Sequence, residues 1–160
     1  MRCRECRGRL KATPDKTLDS GSVMKRCWIE FTDTWRCSPM TFWVHRAADG
    51  KPWYRAQRFD PPAPRPLPGR GYPYFFVELN GFTFEFASLD EIDFCIARLG
   101  HRHLPDTGPE TSGVSGPGAH WQNKLPKETL TWRYRQKAVK YLAKCRAEFE
   151  RSLAAAVHAE

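Results

Sequence analysis

The sequence predicts an α+β fold. Its parts are a β-rich N-terminal region with a candidate zinc-ribbon pattern, a central β-hairpin followed by a helix, and a long basic amphipathic C-terminal helix. Three observations predict it. Tyr74 to Phe86 alternates in period two around Asn80-Gly81, a pair suited to a two-residue type I′ turn. Ser88 and Glu91 then make an S-x-x-E capping box ahead of Leu89, Ile92, Ile96 and Leu99 at helical spacing, with Gly100 where such a helix stops. Finally, neither glycine nor proline occurs after Pro126.

In chain order, Cys3 and Cys6 form a C-x-x-C motif with Gly8 close behind, and residues 12–22 read as a polar loop. From Val23 a strand is expected, with Cys27, Ile29 and Phe31 alternating with Arg26, Trp28 and Glu30 before Cys37. Cys3, Cys6, Cys27 and Cys37 give C-x2-C-x20-C-x9-C, a candidate four-cysteine zinc site, with His45 as a substitute ligand. A regular zinc ribbon carries a second C-x-x-C knuckle. The alternative is therefore that Cys27 and Cys37 are small buried apolar residues and the first pair is unliganded.

Residues 41–59 read as a second hairpin turning at Asp49-Gly50. Trp43, Trp53, Tyr54 and Phe59 interleave there with Arg46, Lys51, Arg55 and Arg58. Rings that stack on bases beside guanidinium groups that meet phosphates are the tools of a single-strand binder, although the same pattern also describes a sheet core with a basic solvated face. Residues 61–73 are a proline-rich connector. The organisation expected is thus a β-rich module over 1–60, the connector, and a hairpin-helix core with the C-terminal helix over 74–160.

In the central hairpin, Leu79 should face Phe82, Val77 should face Phe84 and Phe75 should face Phe86, with Glu78, Thr83 and Glu85 on a wet face. Residues 101–120 read as a glycine-rich surface loop in which His101, His103 and His120 are polar loop residues rather than a metal trio. A helix is expected from about 127 to 157. Leu130, Tyr134, Ala138, Tyr141, Leu142, Cys145, Phe149, Leu153 and Ala156 form its apolar stripe, and Arg133, Lys137, Lys140, Lys144 and Arg151 align on another face.

Net charge is +8, unevenly spread. Residues 73–100 hold 1 positive and 5 negative charges, against 6 and 2 over 41–72 and 8 and 4 over 127–160. An acidic core flanked by basic segments suits a polyanion partner, DNA or RNA. No apolar run spans a bilayer and the N-terminus has no secretory h-region, so a reducing cytoplasmic setting and no membrane association are expected. No G-x-S-x-G, H-E-x-x-H or P-loop pattern occurs. Cys95 and Cys145 fall on apolar helix faces, so no enzyme is expected.

The segments NGFTFEFASLDEIDFCI and HWQNKLPKETLTWRYRQKAVKYL, within residues 74–100 and 120–145, resemble short uncharacterised proteins of bacterial prophages and integrative elements. The resemblance implies a bacteriophage or mobile-element context and no particular chemistry. The function expected is non-enzymatic nucleic-acid binding, with contacts from Arg46, Trp53, Arg55 and Arg58 and from the five helix cations. The alternative is a protein-protein interaction factor that binds and inhibits a host defence complex.

Overall fold

A computed structural model describes residues 24–107 and 120–159. A three-stranded antiparallel sheet lies at its centre, in the order β1 (Lys25–Thr32), β4 (Tyr72–Leu79), β5 (Phe82–Phe86). Helices α2 (Leu89–Leu99) and α3 (Trp132–His158) pack on one face. The segment between β1 and β4 contributes the one-turn helix α1 (Thr41–Val44) and the two-residue strands β2 (Arg46–Ala47) and β3 (Phe59–Asp60).

The central hairpin has the expected register, with Leu79 opposite Phe82, Val77 opposite Phe84 and Phe75 opposite Phe86. Its turn fits the chemistry of the pair that forms it. Asn80 and Gly81 have φ of 51° and 81°, the left-handed conformation that a type I′ turn demands and that asparagine and glycine adopt at least cost. Val77, Phe75, Leu79, Phe84 and Phe86 join Ile92, Cys95 and Leu99 of α2 and Ala138, Leu142, Cys145 and Phe149 of α3 in the main core.

Two expectations about the sheet need correction. The opposite face is not wet, because Tyr74 and Phe76 are buried there beneath Trp35, Ala56 and Phe59 in a second aromatic cluster, and Glu85 accepts from Tyr74 Oη at 3.1 Å. The sequence sign of this was the run YPYFFVEL, apolar at nearly every position, which is how a strand buried on both faces reads. Nor is the division at residues 61–73 a domain boundary. β1, from the supposed separate module, pairs with β4 over eight residues from Lys25–Leu79 to Thr32–Tyr72.

The predicted hairpin over 41–59 is also largely replaced. Thr41–Val44 is helical, with Trp43 and Val44 buried in the main core, and only Arg46–Asp60 and Ala47–Phe59 pair as strands. Asp49 still shapes the turn, since its carboxylate accepts from the backbone N–H groups of Lys51, Gln57 and Arg58 at 3.2, 2.8 and 3.3 Å. Those bonds hold its carboxyl below the usual range.

Helix α2 starts as its capping box foretold, Ser88 Oγ accepting from Glu91 N at 3.2 Å. Its C-terminal end is closed by a residue from α3. Arg135, buried at 4% exposure, donates to the carbonyls of Leu99, His101 and Arg102 beyond α2 and to that of Leu130. One guanidinium thus satisfies acceptors that the helix cannot bond internally. Arg135→Met keeps the aliphatic stem but strips these carbonyls of their donor. It is expected to cost about 2–4 kcal/mol in urea denaturation, against about 0.5 kcal/mol or less for Lys137→Ala on the exposed face.

Helix α3 is preceded by two short 3-10 turns, Trp121–Lys124 and Lys127–Leu130, so its regular part begins five residues later than expected. Thr131 caps it, its side chain accepting from Tyr134 N at 3.3 Å. Ala138, Leu142, Cys145 and Phe149 of the predicted stripe are buried, and Leu130, Tyr134, Tyr141, Leu153 and Ala156 are half-buried. His101 and His103 are exposed as expected, but His120 is buried against Trp43, ring centroids 4.6 Å apart, and burial pushes its pKa down to about 4.

Candidate nucleic-acid interface

All five helix cations, Arg133, Lys137, Lys140, Lys144 and Arg151, are exposed on α3. At 100° per residue they centre about 150° away from the buried residues of the same helix, so packing α3 onto the sheet turns them outward. At 1.5 Å per residue the ridge is about 27 Å long. Among the described residues only Lys144 of this set has an acidic partner, Glu148 at 4.0 Å across an exposed i,i+4 pair that contributes about 0.5 kcal/mol or less. Arg146, one turn away, is engaged instead by Asp93 at 2.8 Å and Glu150 at 2.7 Å. Among the described residues, the other four cations of the ridge face no carboxylate.

A second basic surface lies in the layer that covers the Tyr74 and Phe76 face of the sheet, away from α3. Arg46, Arg55 and Arg58 are exposed there. Trp53, expected to stack on bases, is instead half-buried and structural. Its Nε1 donates to His45 O at 2.8 Å, and its ring packs edge-on against Trp35 and Phe59 with the Arg36 guanidinium 5.1 Å above it. The exposed ring of this segment is its neighbour Tyr54, at 79% exposure.

The structure does not bring the two halves of the described cysteine set together. Cys27 is on β1 and faces α3, where its thiol donates to Glu148 Oε2 at 3.4 Å beside Cys145. Cys37 adjoins Ser38, whose hydroxyl donates to Glu85 O on β5 at 3.3 Å, at the far edge of the sheet. Cys3 and Cys6 lie outside the described residues, and no group of three metal-ligating side chains occurs among the described ones.

Sequence reasoning missed a buried polar cluster at the α1–α2 junction. Glu91, fully buried, accepts from Ser38 Oγ at 2.6 Å, Ala87 N at 2.7 Å and Thr41 Oγ1 at 2.8 Å. His45, also fully buried, places Nε2 2.8 Å from Ser88 Oγ and Nδ1 2.9 Å from Pro61 O. A carbonyl only accepts, so Nδ1 carries a proton and donates to Pro61 O. Desolvation pushes the Glu91 carboxyl up to about 7 in spite of its three donors. Serine, histidine and glutamate are the residue types of a hydrolytic triad. Here, however, Ser88 is 6% exposed and the other two 0%, His45 Nδ1 is bonded to Pro61 O rather than to Glu91, and the cluster ties the 38–45 segment to the start of α2.

Burial pushes Cys145 up to about 12 and raises Cys95 and Cys27, which keeps all three as thiols at neutral pH. No helix among the described residues is long and apolar enough to cross a membrane. No family model matches the chain, nor does any curated protein or solved structure.

Proposed function

We propose that this protein is a non-enzymatic nucleic-acid-binding protein of the bacterial cytoplasm, belonging to a mobile element, that grips phosphate backbone along the exposed face of α3. The observation that carries the reading is the ridge itself, five outward cations over about 27 Å of helix, of which only Lys144 faces a carboxylate among the described residues. Such contacts supply affinity without reading bases, because lysine and arginine meeting phosphate oxygens carry no sequence information.

The reading is tested by fluorescence anisotropy with labelled DNA and RNA oligonucleotides at low ionic strength. Binding that weakens steeply with added salt and varies little with sequence is the expected result. An absence of binding to either polymer at low salt would reject it, and would assign the ridge to an acidic protein surface such as a host defence complex.

A further inference from the structure

We infer that Tyr54 is a base-stacking residue and that the loop presenting it selects single-stranded over duplex nucleic acid. The inference rests on the nucleic-acid reading above and adds to it a second contact, on the other side of the sheet, with a stated preference.

The loop is built to hold one ring out. Pro52 enters the 3-10 turn Trp53–Arg55, closed by Arg55 N donating to Pro52 O at 2.8 Å and Ala56 N to Trp53 O at 3.3 Å. Ala56, at 3% exposure, plugs the far end of the turn into the second aromatic cluster. The Arg36 guanidinium donates to the carbonyls of Tyr54 and Ala56 at 3.1 and 3.2 Å and lies over the rings of Trp35, Trp53 and Phe59. With Asp49 gathering three backbone N–H groups, the loop is pinned from both ends.

On this frame Tyr54 stands 79% exposed, its ring edge-on to Trp53 at 5.3 Å and 88°. Apart from that edge contact, a large ring held in water by a loop so heavily braced adds little to the fold. Its position is explained by what it offers a partner, a π-face already ordered before binding. Lys51, Arg55 and Arg58 of the same segment are exposed, and none forms a salt bridge to an acidic side chain among the described residues. An exposed ring on a segment that carries exposed cations matches an unpaired base with its phosphates, whereas the bases of a duplex are stacked on each other and closed to it.

The test compares the full-length protein with its Tyr54→Ala and Tyr54→Phe variants, using one labelled oligonucleotide as a single strand and as a duplex, in DNA and RNA forms. Tyr54→Ala is expected to weaken single-strand binding by about fivefold or more, as the loss of one stacked base does, and to leave duplex binding within about twofold. Tyr54→Phe is expected to retain single-strand affinity, and all three proteins should melt alike because the ring is exposed. Equal single-strand affinity for Tyr54→Ala and the parent would overturn the inference while leaving the helix ridge standing. A parallel loss on duplex would also overturn it, since stacking on an unpaired base would not produce it. Failure of the parent protein itself to bind either form would remove the nucleic-acid reading and this inference together, and would point to an acidic protein at both surfaces.

Discussion

Glu91→Ala is expected to be the most damaging single substitution in the protein, lowering stability by about 3–5 kcal/mol, enough to leave much of the chain unfolded. It removes the common acceptor of Ser38, Thr41 and the Ala87 N–H, all enclosed at the junction of α1, β5 and α2. The Ala87 N–H is then left unpaired, at about 1–3 kcal/mol, the Ser38 and Thr41 hydroxyls fall back on their longer bonds to Glu85 O and Trp35 O, both 3.3 Å, and a cavity replaces the buried side chain. Glu91→Gln should behave differently. Its carbonyl oxygen can keep the Ser38 and Ala87 bonds, and its amide can donate to Thr41 Oγ1, whose own proton has a second acceptor in Trp35 O at 3.3 Å. The pair is checked by chemical denaturation, and equal losses would show that packing rather than hydrogen bonding governs the site.

The same carboxyl sets a pH dependence. Its folded-state pKa of about 7 lies above the ordinary 4.5, so between those values the folded chain holds a proton that the unfolded chain has released. The stability this contributes is complete below about 4.5 and is lost as pH rises through about 7, a difference of about 3 kcal/mol for a fully buried group. In Glu91→Gln that decline should disappear, and denaturation midpoints measured across this range in the two proteins check it.

The second large effect concerns binding. Changing Lys137, Lys140 and Lys144 together to Glu should abolish nucleic-acid binding while leaving the melting temperature within a few degrees. All three are exposed on α3 and none contributes to the core. Reversal at three neighbouring sites replaces phosphate attraction by repulsion over about half of the ridge, whereas the helix loses only the weak Lys144–Glu148 pair. Binding unchanged in the triple variant would take α3 out of the interface.

The elements most legible in the sequence were those specified locally. Asn80-Gly81, Ser88 with Glu91, and the stripe from Ala138 to Phe149 each carry their signal within a few residues, and each holds in the fold. What escaped reading depended on distant partners. The face carrying Glu78, Thr83 and Glu85 reads as wet, and although the apolar run through Tyr74 and Phe76 signals burial, nothing nearby says that Trp35 and Phe59 return to cover it. Thr41 to Val44 has the aromatic and β-branched composition of a strand, yet burial of Trp43 and Val44 in the main core and the anchoring of Thr41 to Glu91 hold it as a helical turn. Glu91 was explained by capping alone, although its place beside Ile92 and Cys95 on the apolar side of the helix already signalled burial. Of the candidate interface residues, the helix cations are legible from periodicity, but adjacent aromatics do not announce which one the cluster will take, and it takes Trp53 and leaves Tyr54 exposed.

The central claim, that the α3 ridge binds phosphate backbone, is tested most directly by the slope of log affinity against log salt concentration for duplex DNA. If all five cations engage, the slope should approach about −4.5, and Arg133→Ala and Lys140→Ala should each reduce its magnitude by about 1 with little change in sequence preference. A slope near zero, or one that neither substitution alters, would contradict the account.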